Sequence, residues 1–255
     1  MNNQVHLVVP CFRESGRIGG FLPELCLAML NLGGVRVQVV DDGSGANEVQ
    51  RMGDIIDRLR SNYSCLLPLK VLSKNLGKGG AVYAGWAEHG GADWLAFVDA
   101  DGSCSASEVA RFISMRNDTA KRDRMSNDTT ALFASRVKIL GRRVERLFTR
   151  HLLGRIYATL VSEMLDIPVY DSQCGLKIVP RRAYEQSKDR LSIHGFAFDV
   201  DLMVALLDSG CRIDEVPIDW EEMQGGTVRL MRDSWLMARD VIHVRASRTK
   251  FKSTN

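Results

Sequence analysis

The chain has 255 residues, of which 45% are hydrophobic and 25% are charged. It is therefore long enough to bury one large core or two modest ones, and too apolar to be disordered or fibrous. The longest apolar runs, Leu25–Leu30 and Leu202–Leu207, hold six residues each, well short of the roughly 18 that a membrane-spanning helix needs. The polar amino terminus lacks the features of a signal peptide, so the sequence predicts a cytoplasmic protein.

The formal net charge of +3 conceals an uneven distribution of charge. Residues 136–155 hold seven Lys or Arg and one acid, and residues 239–255 hold five and one, which leaves the rest of the chain acidic. Two basic segments on an acidic body indicate an anionic partner, although solvated helix faces would give the same pattern. The six cysteines lack a C-x-x-C pair and zinc-ligand spacing, so we expect them to be reduced and buried.

Short apolar runs rich in β-branched residues alternate with segments of helical periodicity, which predicts an α/β fold with a mostly parallel sheet. The predicted strands are Val5–Val9, Val35–Val40, Lys70–Leu72, Trp94–Val98, Ala131–Ala134, Gly175–Val179 and Ile213–Val216. The predicted helices are Phe21–Leu32, Glu48–Arg60, Gly79–His89, Ser105–Met115, Val144–Leu165, Asp199–Asp208 and Arg229–Val244. Residues 117–130 are polar and lack periodicity, so we expect a surface loop there.

The predicted helix Val144–Leu165 carries a basic side. Its apolar residues fall on one stripe, and Arg146, Arg150 and Arg155 lie largely outside that stripe. The pattern is that of an amphipathic helix which can lie on an anionic surface.

Polar clusters follow four predicted strands, at the edge of the sheet where ligands bind in open α/β folds. They comprise residues 10–14, 41–44, 75–80 and 99–103. Asp99 and Asp101 stand one residue apart after a strand, and two such carboxylates can converge on Mg²⁺ or Mn²⁺. A strand-end turn or a helix cap is the alternative interpretation of this pair.

Lys78 lies in a glycine-rich turn at a predicted helix start, where a cation can meet phosphate. An ordinary strand-to-helix turn would have the same sequence. The turn does not match G-x-G-x-x-G, and the chain contains no G-x-x-x-x-G-K-[ST]. These absences disfavour a dehydrogenase or a P-loop enzyme.

The polar clusters contain four motifs in a fixed order: V-P-C-F-R-E at 9–14, V-D-D-G-S at 40–44, N-L-G-K-G at 75–79 and D-A-D at 99–101. Their order and spacing resemble those of glycosyltransferase family two, nucleotide-sugar transferases of the GT-A fold. Three later stretches, at 171–177, 196–201 and 216–220, are similar to the dolichyl-phosphate glucosyltransferase branch of the polyprenyl-phosphate glycosyltransferases. The resemblance spans roughly Val5 to Val244.

The resemblance implies a single GT-A domain over residues 1–244, with a nucleotide-sugar half at about 1–104, an acceptor half at about 105–244, and a basic tail at 245–255. It implies that the donor is bound by Pro10, Phe12, Glu14, Asp42, Lys78, Asp99, Ala100 and Asp101. Asp99 and Asp101 would bind the Mg²⁺ or Mn²⁺ that bridges the donor diphosphate. One departure is Arg13, which stands where the family usually has asparagine.

Members of this family invert the anomeric carbon by a single displacement, and a sugar hydroxyl acceptor then needs a carboxylate to take its proton. Asp199 matches the usual catalytic aspartate and Asp171 is a second candidate, with a helix cap and a turn cap as the respective alternatives. A polyprenyl phosphate is already an anion and needs cations instead. Arg136, Arg142 and Arg146 are the candidate acceptor contacts.

The expected function is therefore metal-dependent transfer of a hexose from a UDP-glucose-like donor to a polyprenyl phosphate, with peripheral contact at the inner face of the membrane. One alternative is the same chemistry on a saccharide or other soluble hydroxyl. A second is a catalytically silent binding module that retains the fold. We do not expect a nucleic-acid partner.

Overall fold

The computed structural model describes residues 3–126, 129–145, 148–223, 239–246 and 248. The strands are β1 (Val5–Cys11), β2 (Val35–Asp41), β3 (Lys70–Val71), β4 (Trp94–Val98), β5 (Thr130–Ser135), β6 (Val144–Glu145), β7 (Leu176–Pro180), β8 (Arg212–Pro217) and β9 (Trp220–Glu221). The helices are α1 (Ile18–Leu32), α2 (Ala46–Arg60), α3 (Lys78–Trp86), α4 (Ala106–Ser114), α5 (Arg116–Ser126), α6 (Phe148–Leu165), α7 (Arg181–Ser187) and α8 (Phe198–Asp208). Residues 239–246 are also helical.

Seven strands form one sheet in the order β3-β2-β1-β4-β7-β5-β8, and β6 pairs with β9 in a separate ribbon. Within the main sheet, β7 runs antiparallel to β4 and to β5, and the other pairs are parallel. Helices cover both faces, because alternate residues of β1 enter different cores: Leu7 and Val9 pack with α1, α2 and α4, whereas Val8 packs with α3, α6, α7 and α8. The predicted single α/β domain with a mostly parallel sheet is confirmed.

The prediction of a surface loop at residues 117–130 was wrong, because α5 occupies most of that segment. Only Arg116 and Thr119 are buried among the described side chains of this helix, so it has no apolar face for a periodicity search to find. Polar contacts fix it instead. Arg122 pairs with Asp214 at 2.8 Å, and Asp123 accepts hydrogen bonds from the Thr130 backbone and hydroxyl at 2.7 and 2.8 Å.

The predicted helix at Val144–Leu165 begins later than expected, because Val144 and Glu145 pair with β9 as strand β6. Its predicted apolar stripe is only partly buried. Tyr157 and Val161 lie in the core, whereas Leu152 and Ile156 are 50% and 59% exposed. Arg146 and residues 229–238 of the predicted helix Arg229–Val244 lie outside the described residues, and residues 239–244 of that helix are helical as predicted. No helix in the described part of the chain combines the length and the apolar character needed to cross a bilayer.

A buried histidine lies near the start of β1, at the edge of the sheet away from the polar clusters. His6 is fully buried, and its Nε2 is 3.0 Å from Gln38 Oε1. Gln38 in turn donates to Glu88 at 3.0 Å, and Lys70 pairs with the same carboxylate. Burial lowers the pKa of His6 to about 4, because the charged imidazolium would lose its hydration.

The titration of His6 predicts a loss of stability in mild acid. Between pH 6.5 and 4 the unfolded chain binds a proton that the folded chain does not, so the free energy of unfolding falls as the pH falls. His6 should account for about 2 kcal/mol of loss between pH 7 and pH 5. Urea denaturation of wild type and His6→Gln at both pH values measures the contribution of His6 to the change in the free energy of unfolding. Parallel pH dependence in the two proteins would contradict the assignment.

Candidate active site

The loops after β2 and β3 are joined by a buried carboxylate. Asp42 is 3% exposed, and its two oxygens accept from the backbone N–H groups of Leu76 and Gly77 at 2.7 and 2.9 Å. Burial raises the pKa of Asp42, although these two donors act in the opposite direction. Gly77 has φ +88°, and a Cβ there would lie 2.6 Å from the His194 carbonyl oxygen. Asp42 thus holds the glycine-rich turn in place, and its predicted contact with the donor stays a prediction.

The loop after β1 presents Phe12 beside a strained arginine. Arg13 has φ +59°, a left-handed conformation that asparagine adopts more readily than arginine. The Arg13 guanidinium lies 5.0 Å from the Phe12 ring centroid, and its backbone N–H donates to Ser44 Oγ at 2.8 Å. Glu14 forms a two-point ion pair with Arg17 at 2.5 and 2.7 Å. Pro10, at the end of β1, is partly buried.

Asp99 is the point at which β4, β7 and the glycine-rich turn meet. Its backbone N–H donates to the Gly175 carbonyl at 2.9 Å, and a Cβ on Gly175 would overlap the Asp99 carboxylate. Lys78 Nζ is 2.6 Å from Asp99 Oδ1 and lies 5.5 Å from the Phe97 ring centroid. Burial lowers the pKa of Lys78, but the nearby carboxylates of Asp99 and Asp199 outweigh burial and raise it overall. The Asp99 carboxylate is therefore already paired with a cation, the Lys78 ammonium.

The second aspartate of the D-A-D motif shapes the following turn. Asp101 Oδ1 accepts from the Ser103 backbone N–H at 2.9 Å, and Ala100 between the two aspartates is buried. Ser103 is also tied to the β9 region, since its carbonyl accepts from the Glu221 N–H at 2.9 Å. The D-A-D turn is thus connected to the segment that forms β9.

The donor set of this turn fits a divalent cation that is shared with a substrate. Its carboxylates are hard oxygen ligands, and the Lys78 ammonium on Asp99 is a stand-in for positive charge at that position. No cluster of three or more His, Cys, Asp or Glu side chains able to hold a metal occurs within the described residues. Mg²⁺ commonly uses one or two carboxylates and completes its shell with water and phosphate oxygens. Asp99 and Asp101 would therefore hold the ion together with a diphosphate.

The first predicted base, Asp199, is a buried member of an ion pair. It is 2% exposed, and its Oδ1 is 2.6 Å from Nζ of Lys177, which is fully buried. Lys177 also donates to the Cys174 carbonyl at 2.8 Å. Burial raises the pKa of Asp199, with Lys177 and Lys78 opposing that effect. The N-cap residue of α8 is Ala197, two residues before Asp199, so the cap interpretation does not explain this residue.

The second predicted base, Asp171, is bound by a predicted acceptor contact, Arg136. The guanidinium donates to both Asp171 oxygens at 2.7 and 2.8 Å, and the Arg136 backbone N–H adds a third hydrogen bond at 3.0 Å. Burial alone would lower the pKa of Arg136, but Asp171 raises it well above its usual value. The Asp171 backbone N–H donates to Glu215 at 2.9 Å. The pair therefore fixes the loop after β5 to residues 170–171.

Arg142 also faces carboxylates. Its Nη1 lies 3.4 Å from Glu108 Oε1 and 3.7 Å from Asp219 Oδ2. Glu108 lies in the first turn of α4, is 6% exposed, and pairs with Arg111 at 2.6 Å. Its backbone N–H donates to the side chain of Ser105, the N-cap residue of that helix. Arg142 is thus part of a charge network between α4 and the segment before β9.

Gly175, Lys177 and Asp201 lie in the stretches 171–177 and 196–201 that carry the resemblance, but the sequence assigned none of them a role. Lys177 is a lone charge in an apolar strand, and a buried lysine requires a partner, so the strand pattern contained a signal for it. Asp201 accepts from the backbone N–H groups of Ser192 and Ile193 at 2.7 and 2.8 Å and so holds the loop before α8. Gly175 carried no signal, because its role depends on the close approach of Asp99 across β4 and β7.

Known structures share this fold. The chain superposes on mannosyl-3-phosphoglycerate synthase from Rubrobacter xylanophilus with a TM-score of 0.64 at 15% identity, covering 98% of this chain and 75% of that one. Glucosyl-3-phosphoglycerate synthase from Mycobacterium tuberculosis, in complex with Mn²⁺, UDP-glucose and phosphoglyceric acid, gives a TM-score of 0.62 at 15% identity, covering 96% and 79%. These likenesses show that the chain has the GT-A fold.

Sequence comparison identifies the family. Residues 6–184 match glycosyl transferase family 2, and the chain belongs to that family. A dolichyl-phosphate beta-glucosyltransferase of Saccharomyces cerevisiae is 30% identical over 246 residues, which cover 94% of this chain and 73% of the yeast protein. The human protein of the same name is 27% identical over 251 residues, covering 95% and 75%. The resemblance to the dolichyl-phosphate glucosyltransferase branch is thereby confirmed.

The buried ion pair generates a stability prediction. Lys177→Met leaves the Asp199 carboxylate buried without its cation, so we expect the free energy of unfolding to fall by about 3–5 kcal/mol. The double variant Lys177→Met/Asp199→Leu removes both charges and should recover most of that loss. Urea denaturation followed by circular dichroism measures all three proteins.

The matched control is Lys74→Met, since Lys74 is exposed and its loss should change stability by no more than about 0.5 kcal/mol. A Lys177→Met protein as stable as wild type would show that the pair does not hold β7 to α8.

Proposed function

We propose that the protein transfers glucose from UDP-glucose to a polyprenyl phosphate by one inverting displacement that depends on a divalent cation. An oxygen of the acceptor phosphate attacks the anomeric carbon on the face opposite the diphosphate, and the bond from that carbon to the diphosphate oxygen breaks. UDP leaves with the bonding electrons. Since the lipid part of the acceptor lies in a bilayer, the reaction takes place at a membrane surface.

The observation that carries this proposal is the state of the two candidate bases. Asp199 is paired with Lys177 at 2.6 Å, and Asp171 is held at two points by Arg136. Both carboxylates are less than a tenth exposed. A general base must reach the proton that it removes, and neither side chain is placed to do so. An acceptor phosphate, which attacks as an anion, needs no such base.

The donor and metal assignments have separate support. The carboxylates after β4 offer oxygen ligands, and a bound divalent cation would stabilise the negative charge that grows on the leaving diphosphate. The GT-A relative from Mycobacterium tuberculosis was solved with Mn²⁺ and UDP-glucose, and the curated relatives are named for glucosyl transfer to dolichyl phosphate. Asp42, Phe12 and Lys78 are the proposed contacts to the nucleotide.

Calorimetric titration tests the donor. UDP and UDP-glucose should bind in the presence of Mn²⁺ and far more weakly with EDTA. They should also bind more tightly than GDP-sugars. Asp101→Asn should weaken UDP binding by about tenfold or more, because a metal ligand is lost. Asp118→Asn, which changes an exposed carboxylate on α5, is the control and should bind as wild type. Equal affinity for UDP with Mn²⁺ and with EDTA would count against the metal.

A matched pair of acceptors tests the chemistry. Polyprenyl phosphate and the corresponding polyprenol share the same lipid and differ only in the phosphate. With radiolabelled UDP-glucose we expect transfer to the phosphate and none to the alcohol, since both candidate bases, Asp171 and Asp199, are already paired with cations. Comparable rates with polyprenol, or with a soluble glucoside, would favour the hydroxyl-acceptor alternative.

The ion pair between Lys78 and Asp99 predicts competition with the metal. Because an ammonium already lies 2.6 Å from Asp99 Oδ1, Mn²⁺ alone must displace it. Lys78→Met should therefore tighten Mn²⁺ binding in the absence of nucleotide, by about tenfold. Electron paramagnetic resonance of free Mn²⁺ measures the affinity, and Lys74→Met corrects for the general loss of one positive charge. Equal Mn²⁺ affinity in the two variants would exclude the competition.

A further inference from the structure

The loop between β5 and β6 ends in a fully exposed apolar turn. The Arg142 backbone N–H donates to the Ile139 carbonyl at 3.2 Å, and Gly141, the third residue of this turn, has φ +84°. A glycine with positive φ at that position is typical of a type II turn, which places Leu140 at the apex. Leu140 is 102% exposed and Ile139 is 46% exposed. We call residues 138–141, all of them exposed, the loop tip.

Both ends of this loop are anchored. On one side, Arg136 is held by Asp171 through its side chain and its backbone N–H. On the other side, the Arg143 backbone N–H donates to Asp219 Oδ1 at 2.8 Å, and the Arg143 carbonyl accepts from the Trp220 N–H at 2.8 Å. Both ends of the loop that carries the loop tip are therefore held in place.

The base of the loop lies at the catalytic edge of the sheet. The loop starts at the carboxyl end of β5, where Ser135 is paired with Pro217 of β8. Its partner segment, β9, reaches the turn after Asp101, because the Glu221 N–H donates to the Ser103 carbonyl. The loop tip thus projects from the same edge as the candidate active site.

The charge around the loop tip complements an anionic surface. Residues 136–143 contain four Lys or Arg and no acid. Arg136 and Arg142 are paired with carboxylates outside the loop, whereas Lys138 is exposed and directly precedes the two apolar residues. Arg143 pairs with Glu145 at 2.7 Å, but both side chains are more than half exposed, and exposed pairs of this kind contribute little and exchange readily. Apolar side chains flanked by cations suit an interface that combines a hydrocarbon layer with negatively charged headgroups.

We propose that the loop tip docks on an anionic lipid bilayer, with Leu140 and Ile139 inserted below the headgroups and Lys138 among the lipid phosphates. This inference rests on the proposed function, because a polyprenyl phosphate acceptor presents its phosphate at that surface. Because the loop starts at the same edge of the sheet as the candidate active site, docking at the loop tip would bring that edge toward the surface that holds the acceptor phosphate.

Vesicle co-sedimentation of the full chain tests the surface. Wild type should bind phosphatidylcholine vesicles that contain about 30 mol % phosphatidylglycerol, and Leu140→Glu should weaken that binding by about tenfold or more. Met125→Glu is the matched control, because Met125 is 90% exposed on α5, which leads into the opposite end of β5. Absence of wild-type binding at low salt, or equal binding by Leu140→Glu, would overturn the proposal.

A site-specific probe adds an independent measurement. All six native cysteines are buried, so Leu140→Cys can be labelled selectively with an environment-sensitive NBD group. Its emission should shift to the blue when anionic vesicles are added. An emission that stays at its value in water while the protein sediments with vesicles would show that another surface docks. Light scattering tests whether the loop tip instead contacts a second copy of the chain. A wild-type dimer that becomes monomeric in Leu140→Glu would assign the loop tip to that contact and overturn the proposal.

The docking surface and the proposed function can fail separately. Leu140→Glu should bind UDP-glucose as wild type does and should glucosylate a short, water-soluble prenyl phosphate at the wild-type rate, while losing activity on acceptor embedded in vesicles. Vesicle binding without transfer to any prenyl phosphate would contradict the proposed function but not the docking surface. Equal activity of Leu140→Glu on the embedded and the soluble acceptor would contradict the docking surface but not the proposed function.

Discussion

The pairing of β4 with the antiparallel strand β7 is the constraint on which the candidate active site depends. Asp99 follows β4, and Gly175 directly precedes β7, so the strand pairing brings the two residues together with a hydrogen bond of 2.9 Å. Without a Cβ on Gly175 there is room for the Asp99 carboxylate. Two residues further along, Lys177 pairs with Asp199. One strand pairing therefore orients a carboxylate in each half of the fold.

The parallel part of this fold could be predicted from the sequence, because its signals are local. Buried strands read as apolar runs, and each is followed by a helix with an apolar stripe. The strand β7 illustrates the limit. Its apolar run gave its position, but its antiparallel direction depends on which partners it finds in the sheet, and a two-face apolar strand looks the same in either direction. The helix α5 illustrates another limit, since polar contacts such as Arg122 with Asp214 hold it and leave no periodic signal.

The positions of the site residues could be predicted better than their partners. Asp99, Asp171 and Asp199 were found because polar residues after strands and at helix starts stand out against an apolar background. Each proved to be paired with a cation, Lys78, Arg136 or Lys177, that is between 21 and 35 residues away in the chain. Pairings over such separations follow from sheet order and from side-chain reach, neither of which a local pattern contains. Whether these aspartates act on substrate or hold the scaffold is thus a question for three-dimensional geometry.

The internal pairing of charges bears on how a donor enters the site. Before any ligand binds, Lys78 neutralises Asp99 and Lys177 neutralises Asp199, each at 2.6 Å, against walls that include the rings of Phe97 and Phe133. A lone diphosphate or a lone divalent cation would bring an unbalanced charge to these low-dielectric surroundings, which is costly. A diphosphate and a divalent cation that arrive together bring opposite charges. If Asp99 and Asp101 hold a divalent cation as proposed, Lys78 would be released from Asp99 toward the diphosphate, and the net charge of the site would change little. On this argument the ammonium on Asp99 stabilises the site before a ligand binds, and the proposed cation would bind more tightly with the diphosphate than alone.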